Sequence, residues 1–341
     1  MDSSTEAPTF DAPATDLVSV VIPAFQAEST LGATLRSVLD QTHQDIEVVV
    51  VDDGSTDGTA DLIRRAAADE RVVPVSYGAN RGRSFARNAG IDRSTGRWVC
   101  FVDADDLLAA DRLERLVSVA RDHPRSLVVT DDRIGFTVEP DGVHLGHRFP
   151  SRRTIGVGRV RPIDRRTHFI DKWGHHDAII DREHLITIGV RFPERISIGE
   201  DLAFDISVLF AHPEAFPIRS GEAGYYYRLS DTARADGSAD AWLHAVDVAV
   251  EQSGSDELRV LVDRWQPIHS FVHSFGHERL RAAGRLRERD VPPDPRVTPN
   301  RIGGWMWLVS MKVLHELSKV ADRSRRGAIR ADITAQLGRS I

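Results

Sequence analysis

The stretch IEVVVVDDGSTD, residues 46–57, decides the fold, because a nearly unbroken apolar run leads directly into acidic and turn-forming residues. Such a run is typical of a strand in a parallel sheet that helices cover on both faces. Similar runs recur at residues 17–22, 72–76, 98–102 and 127–130, with segments of helical period between them. The sequence therefore predicts an α/β fold with a central, mostly parallel sheet flanked by helices.

The helices between these strands have recognisable starts. Ser29 or Thr30 can cap the first, Thr59 opens the second, Ser84 begins the third, and the fourth ends before Pro124. Beyond Thr130 the alternation stops. We expect a hairpin of residues 134–138 and 143–145 around Asp141-Gly142, an irregular stretch at 149–174, a strand at 178–180, a helix at 200–211, and strands at 215–218 and 223–229.

The chain divides into three regions. Residues 1–16 are acidic, contain no basic residue and are rich in Ser, Thr, Pro and Ala, which predicts a disordered leader and not a signal peptide. Residues 17–230 form the predicted α/β domain. Residues 240–341 are predicted to form a separate helical C-terminal region, broken near the prolines of 291–295.

Composition excludes several classes of protein. The 341 residues carry a net charge of -7, which argues against a surface that binds nucleic acid. Cys100 is the only cysteine and lies in an apolar run, so it is predicted to be buried and inert. No apolar run reaches the 18 or so residues that a spanning helix requires. We expect a soluble cytoplasmic protein.

Two acidic clusters follow strands of the predicted sheet. Asp52-Asp53 follows the second strand, and Asp103-Ala104-Asp105-Asp106 follows the fourth. Ligands of open parallel sheets bind outside the carboxyl ends of the strands, so both clusters should meet at one edge. Only oxygen ligands are offered there, which favours Mg²⁺ or Mn²⁺ over Zn²⁺. For Asp57, Asp106 and Asp111, turn and cap formation is an equally good interpretation.

Other phosphate and metal motifs are missing. A calcium loop would begin at Asp53, but Arg64 occupies the position that needs a bidentate Glu. No GxxxxGK[ST] loop occurs, and Gly156-Val157-Gly158 does not continue as GxGxxG. A diphosphate would therefore have to be held in another way.

Five motifs in order resemble the family-2 glycosyltransferases, which have the GT-A fold. The likeness covers about residues 17–229 and rests on VVIPAF (20–25), DDGSTD (52–57), NRGRSFARN (80–88), FVDADD (101–106, the DxD element) and GEDLAF (199–204, the ED element).

The resemblance implies a site for a nucleotide-diphosphate sugar, with a UDP-sugar favoured. Residues implied to hold the donor are Pro23, Ala24, Phe25, Asp52, Asp53, Arg81, Arg83, Arg87, Asp103 and Ala104. Asp105 is implied to ligate the divalent ion that bridges the diphosphate. Gln26 stands where many relatives carry Asn, so recognition of the base is open. For the three arginines, a solvated helix face is the alternative interpretation.

The resemblance also implies an inverting transfer to an acceptor hydroxyl, with Asp201 as general base and Glu200 orienting the site or binding the acceptor. An acidic pair that opens a helix is the structural alternative. Trp173, His176 and Arg228 are weaker candidates for the acceptor side, against packing and loop anchoring.

The C-terminal region offers one further hypothesis. The apolar run at 305–314, with Arg281, Arg285, Arg287 and Arg289 near it, favours an internal helical core. Peripheral contact with the inner face of a membrane, or a homodimer, is the alternative.

The predicted function is a metal-dependent inverting glycosyltransferase with a saccharide, lipid-linked or secondary-metabolite acceptor. A sugar-nucleotide nucleotidyltransferase would need a Gly-rich loop and a lysine after the first strand, where VIPAF stands instead. A catalytically degenerate nucleotide-sugar-binding scaffold would be expected to lack Asp105 or Asp201.

Overall fold

The computed structural model describes residues 15–149, 159–163, 165, 178–212, 217–229, 239–263 and 323–338. Its strands are β1 (Val18–Ala24), β2 (Ile46–Asp52), β3 (Val72–Ser76), β4 (Trp98–Phe101), β5 (Leu107–Leu108), β6 (Val128–Glu139), β7 (Gly142–Phe149), β8 (Arg161–Pro162), β9 (Ala178–Asp181) and β10 (Pro217–Arg228). Its helices are α1 (Leu31–Leu39), α2 (Thr59–Ala66), α3 (Arg83–Arg93), α4 (Arg112–Asp122), α5 (Arg182–Ile188), α6 (Glu200–Phe210), α7 (Ala239–Ser253) and α8 (Arg323–Gly338), with a further helix at residues 256–263.

All ten strands belong to one sheet in the order β3-β2-β1-β4-β9-β6-β10-β5, with β7 added to β6 and β8 to β10. The first four strands of this order are parallel to one another. Strand β9 runs antiparallel between β4 and β6, and β10 is again parallel to β6. The predicted α/β fold is therefore confirmed.

Strand β2 shows how the sheet buries both of its faces. Val48 and Val50 point to a core that includes Leu35 of α1, whereas Val49 and Val51 point to a core on the opposite face. Side chains of a strand alternate between faces, so an apolar run of this kind contributes to two cores at once.

Most predicted elements agree with the structure. The first four strands, the hairpin, the strand at 178 and the helix at 200 are confirmed. Residues 127–130 and 134–138 were expected as separate strands but lie in the single strand β6. The two strands expected around residues 215–229 are also wrong. Within the described residues they form one strand, β10, with an irregular register between Arg219 and Ala223 and a positive φ of 76° at Gly221.

The described C-terminal helices share the core of the α/β domain. Ala245 and Val246 of α7 are buried in the same cluster as Phe204 of α6, and Ile333 of α8 is buried with Leu107 of β5. The division near residue 240 stays a prediction, although these described helices pack on the α/β domain. Apolar faces on α6 and β5 need covering, and these helices cover them.

The structure places Asp16 against the α/β domain. Asp16, expected in the leader, pairs with Arg97 at 3.3 Å and with Arg121 at 2.6 Å. Cys100 is fully buried, as predicted, and burial raises the pKa of its thiol to about 12. Residues 1–14, Trp173, His176 and the segments 281–289 and 305–314 lie outside the described residues.

Among the helices that are described, none combines the length and apolarity needed to cross a bilayer.

Candidate active site

An open cleft of about 1080 Å³ lies at the carboxyl ends of the parallel strands, where the acidic clusters were expected to meet. Loops after β1, β2, β3 and β4 form one side, and residues 194–200 form the other. The lining residues are Pro23, Ala24, Phe25, Gln26, Ala27, Ser29, Thr30, Asp53, Asn80, Arg81, Gly82, Arg83, Ser84, Ala86, Asp103, Ala104, Asp105, Glu194, Arg195, Ile196, Ser197 and Glu200.

The loop after β1 is tied to the loop after β2 through Gln26. Its side-chain Oε1 accepts a hydrogen bond from the backbone N–H of Thr56 at 2.7 Å, and its own N–H donates to Ser55 Oγ at 3.1 Å. Gln26 has a positive φ of 51°, unusual for a residue other than glycine. The neighbouring Phe25 is left 48% exposed on the cleft wall. An exposed ring in a cleft is available for stacking on a planar ligand.

Asp52 and Asp53 are both buried but hold different loops. Asp52 Oδ1 accepts from the N–H of Ser55 at 3.0 Å and closes the turn after β2. The two oxygens of Asp53 accept from the N–H groups of Arg81 and Gly82 at 2.8 and 2.7 Å. Asp53 lines the cleft and Asp52 does not.

Hydrogen bonds from residues of β10 hold the DxD segment in place. Asp106, buried and outside the cleft lining, accepts from the Tyr225 hydroxyl and from the N–H of Arg228, each at 2.7 Å. The Arg228 guanidinium donates to the backbone carbonyl of Asp105 at 3.0 Å. Burial, with the charge of Asp103, raises the pKa of Asp105, and the nearby Arg228 opposes this shift. Asp105 therefore faces the cleft as a carboxyl group that a cation would stabilise.

The ED segment opens α6 on the opposite side of the cleft. Glu200, 4% exposed at its side chain, accepts from Arg87 at 3.1 Å and lies 3.4 Å from Arg83. Asp201 is partly buried, and its Oδ1 accepts from the N–H of Leu202 at 2.8 Å. Burial raises the pKa of Asp201, while the charge of Arg87 acts to lower it. Raised carboxyl pKa values in a cleft are typical of functional sites.

The structure brings most of the predicted site residues together around one cleft. Among the predicted site residues that the structure describes, four stand apart from its lining: Asp52, Arg87, Asp201 and Arg228. Arg87 lies beneath the cleft, with Nη2 at 2.7 Å from Asp103 and Nη1 toward Glu200, so its guanidinium is neither solvated nor on the wall.

Residues 194–197 were missed by the sequence analysis although they line the cleft. Arg195 pairs with Glu251 of α7, and Asn88 donates to the carbonyl of Phe192 at 2.9 Å and to Glu194 at 3.0 Å. No motif marks this loop. Its place directly before the GEDLAF segment was the one available signal.

The charges of the cleft favour a cation. Five carboxylates line it, against the three guanidinium groups of Arg81, Arg83 and Arg195. An excess of carboxylates repels a diphosphate unless a cation is added. Within the described ranges, no group of three or more His, Cys, Asp or Glu side chains could hold a metal by itself. Mg²⁺ is commonly bound by one or two carboxylates plus phosphate oxygens and water, so Asp105 fits such an ion together with its nucleotide.

Several known proteins are similar to this chain in sequence. The chain is 43% identical over 100 residues to the putative teichuronic acid biosynthesis glycosyltransferase TuaG of Bacillus subtilis, covering 29% of this chain and 40% of that protein. It is 30% identical over 216 residues to the succinoglycan biosynthesis protein ExoO of Rhizobium meliloti, covering 63% and 61%. The matched region thus spans less than two thirds of either relative.

The fold is similar to that of S. aureus TarS 1-349, solved in complex with UDP. The TM-score is 0.59 at 20% sequence identity, covering 74% of this chain and 71% of the other. The fold class is therefore that of the GT-A glycosyltransferases. Residues 19–181 match the model described as glycosyl transferase family 2.

Proposed function

We propose that this protein is a metal-dependent, inverting glycosyltransferase that moves a sugar from a UDP-sugar to an acceptor hydroxyl. The observation that carries the proposal is the meeting of Asp103 and Asp105 with Glu200 at one cleft in a GT-A fold. Asp201 follows Glu200 directly and lies close enough to Asp103 and Arg87 for their charges to shift its pKa. The donor would occupy the side formed by the loops after β1 to β4. The acceptor would enter past residues 194–200.

The donor side offers complementary groups for each part of a nucleotide-diphosphate sugar. Phe25 and Asp53 would face the base and ribose, and Asp103 would support the ribose. Arg81 and Arg83 would contact the diphosphate. Asp105 would hold Mg²⁺ or Mn²⁺ there, and when bound this ion neutralises charge on the departing UDP. The choice of UDP as the nucleotide is supported by the TarS structure, which was solved in complex with UDP.

The acceptor side would supply the base. Asp201 Oδ would take the proton of the acceptor hydroxyl as its oxygen attacks the anomeric carbon, and the bond to the diphosphate would break on the opposite face. Direct displacement inverts the configuration at that carbon. A positioned general base contributes about 10²- to 10⁴-fold in rate.

The acceptor class is the least constrained part of the proposal. The names of two relatives refer to the biosynthesis of teichuronic acid and of succinoglycan, which favours a saccharide acceptor over the other two classes. A cytoplasmic location remains a prediction.

Thermal unfolding with UDP-, GDP- and dTDP-sugars, each with and without Mn²⁺, tests the donor. A ligand at 100 times its Kd should stabilise the fold by about 2.7 kcal/mol. A Mn²⁺-dependent shift with UDP-sugars is expected, followed by UDP release and an inverted product. A shift without turnover would favour a degenerate scaffold. Nucleoside triphosphate consumption with a sugar phosphate would favour a nucleotidyltransferase.

A further inference from the structure

Arg87 joins the two acidic segments without reaching the cleft. Its side chain is 1% exposed in the middle of α3, with Nη2 2.7 Å from Asp103 Oδ1 and Nη1 3.1 Å from Glu200 Oε1. These carboxylates lie 16 and 113 positions away along the chain. We infer that Arg87 is a positioning residue that couples the donor side of the cleft to the acceptor side, an inference that rests on the proposed function.

The geometry suits a coupling role because a guanidinium is a rigid, planar fork. Its two Nη groups hold one fixed separation, so Asp103 cannot shift without moving Glu200 or breaking a charge-assisted bond. Asp103 is 26% exposed and can respond to a bound donor, whereas Glu200 is 4% exposed. The change would therefore pass from the donor side to the first turn of α6, where Asp201 lies.

Aromatic rings pack beside Arg87 and restrict movement of its guanidinium. The guanidinium carbon lies 5.2 Å from the Phe192 ring centre, and Phe192 stacks on Phe204 of α6 at 3.8 Å. Phe101 of β4 meets both rings edge to face. Strand β4, which precedes the DxD segment, and helix α6, which begins with the ED segment, thus pack together through these rings.

Arg83, one turn earlier on α3, differs from Arg87 in its exposure to the cleft. It lies 3.4 Å from Glu200 but is 61% exposed and lines the cleft, so a ligand can contact it directly. Arg87 has no such access and can act only through its carboxylate partners. The two arginines should therefore give different kinetic signatures.

The test uses Arg87→Met, Arg87→Lys, Glu200→Gln and the double variant Arg87→Met/Glu200→Gln. The matched controls are Arg219→Met and Arg219→Lys, because Arg219 is a buried arginine paired with Asp132 away from the cleft. The full-length proteins are assayed for UDP affinity with Mn²⁺ by calorimetry. Release of UDP from UDP-glucose or UDP-N-acetylglucosamine, with water as acceptor, gives kcat per UDP-binding site.

The expected result is a linked loss on both sides of the cleft. Arg87→Met should lower kcat about 100-fold, as for a small misplacement of catalytic groups. It should weaken UDP binding about tenfold, the equivalent of one hydrogen bond to a charged group. Glu200→Gln should lower kcat about tenfold alone but less than about twofold in the Arg87→Met background, since effects of partners in one network are not additive. Arg219→Met should lower thermal stability and leave kcat and UDP affinity unchanged.

Values of kcat and UDP affinity for Arg87→Met within threefold of wild type, or effects that multiply in the double variant, would overturn the coupling. If Arg87→Met does not fold, the lysine variants decide. A loss of kcat in Arg87→Lys that Arg219→Lys lacks supports coupling, and equal values overturn it. A wild-type protein that binds no UDP in the same titration instead contradicts the proposed function.

Discussion

Asp105 lines the cleft and Asp201 follows the lining residue Glu200, and burial raises the pKa of both aspartates. Their neighbours differ. Arg87 and Arg133 oppose the shift at Asp201, whereas Arg228 and Arg83 oppose it at Asp105. In the proposed function, Asp201 would exchange a proton with the acceptor and Asp105 would bind the cation.

Asp201→Asn separates proton transfer from donor binding. We expect kcat to fall at least about 10²-fold because the base is lost, while UDP affinity with Mn²⁺ stays within about twofold. Steady-state turnover and calorimetry on the same preparation provide the check. Unchanged turnover would remove Asp201 from its assigned role.

The pH dependence of kcat should report the raised pKa of Asp201. A general base works when deprotonated, so turnover should rise with pH through a midpoint above the usual aspartate value of about 3.9. Arg87→Met should move this midpoint further upward, because the guanidinium charge favours the carboxylate. Turnover from about pH 4 to pH 8 is the measurement, with circular dichroism to exclude unfolding. A flat profile down to pH 4 would contradict it.

Asp105→Asn tests the cation. The variant should lose the Mn²⁺-dependent part of UDP affinity, since a neutral amide is a weaker ligand for a hard cation than a carboxylate. UDP titrations with Mn²⁺ and with a chelator provide the comparison. Wild-type turnover that persists in excess chelator would exclude the metal-dependent mechanism.

The sequence could identify the acidic residues because each follows a recognisable strand or opens a helix. It could not identify the role of Arg87. On α3 alone this residue belongs to a segment with many polar side chains, and one of its two carboxylate partners, Glu200, lies 113 positions away. Likewise, the involvement of Glu194 and Arg195 follows from packing of their loop against α3 and α7, which no local pattern encodes.

At the scale of elements, the loops after β2 and β3 support one another. Asp53 binds the N–H groups of Arg81 and Gly82, and this requires close approach at Gly54, which has a φ of 78°. A Cβ on Gly54 would lie 2.7 Å from backbone atoms of Ala79 and Asn80. Glycine is thus needed both for its conformation and for its lack of a side chain.

Gly54→Ala should therefore lower stability and disturb the proposed donor site together. We expect a loss of about 1–3 kcal/mol in the free energy of unfolding, typical of overpacking, and weaker UDP binding. Gly78→Ala is the matched control, because a Cβ there meets nothing within 4 Å. Denaturant unfolding and UDP titration of both variants give the comparison. Equal behaviour would show that the loops can separate without cost.

Elements buried on two faces were predictable, and short or irregular ones were not. The β-branched runs of β1 and β2 allow little besides a covered strand. Strand β5 is two residues long and exists through pairing with Tyr225 and Tyr226 of β10. The segment Ser220-Gly221-Glu222 resembles a turn between two strands, yet β10 continues through it because β6 pairs on both sides of the irregularity.

At the scale of the whole molecule, α8 completes the packing behind the DxD segment. Gln336 donates to the carbonyl of Leu108 at 3.0 Å, the Tyr226 hydroxyl donates to Asp332 at 3.0 Å, and Ile333 is fully buried. Leu108 belongs to the strand that follows Asp106 almost directly. The helix therefore supports the segment that carries Asp105.

Ile333→Ala should lower the free energy of unfolding by about 2–4 kcal/mol, the usual range for an emptied core position. Thr334→Ala is the matched control on the exposed side of α8. Denaturant unfolding of both variants measures the difference. If the two variants are equally stable, α8 does not contribute to the core, and this result would support the predicted separate C-terminal region.

The bond between Gln336 and Leu108 joins residues 228 positions apart, and this has a consequence for biosynthesis. On the ribosome, the parallel strands β1 to β4 emerge early and can pair while later segments are still being translated. The helix behind β5 emerges only after more than two hundred further residues. Contacts of such long range form late in folding. The parallel strands β1 to β4 can thus assemble first, and the strand beside Asp105 gains the support of α8 near the end of translation.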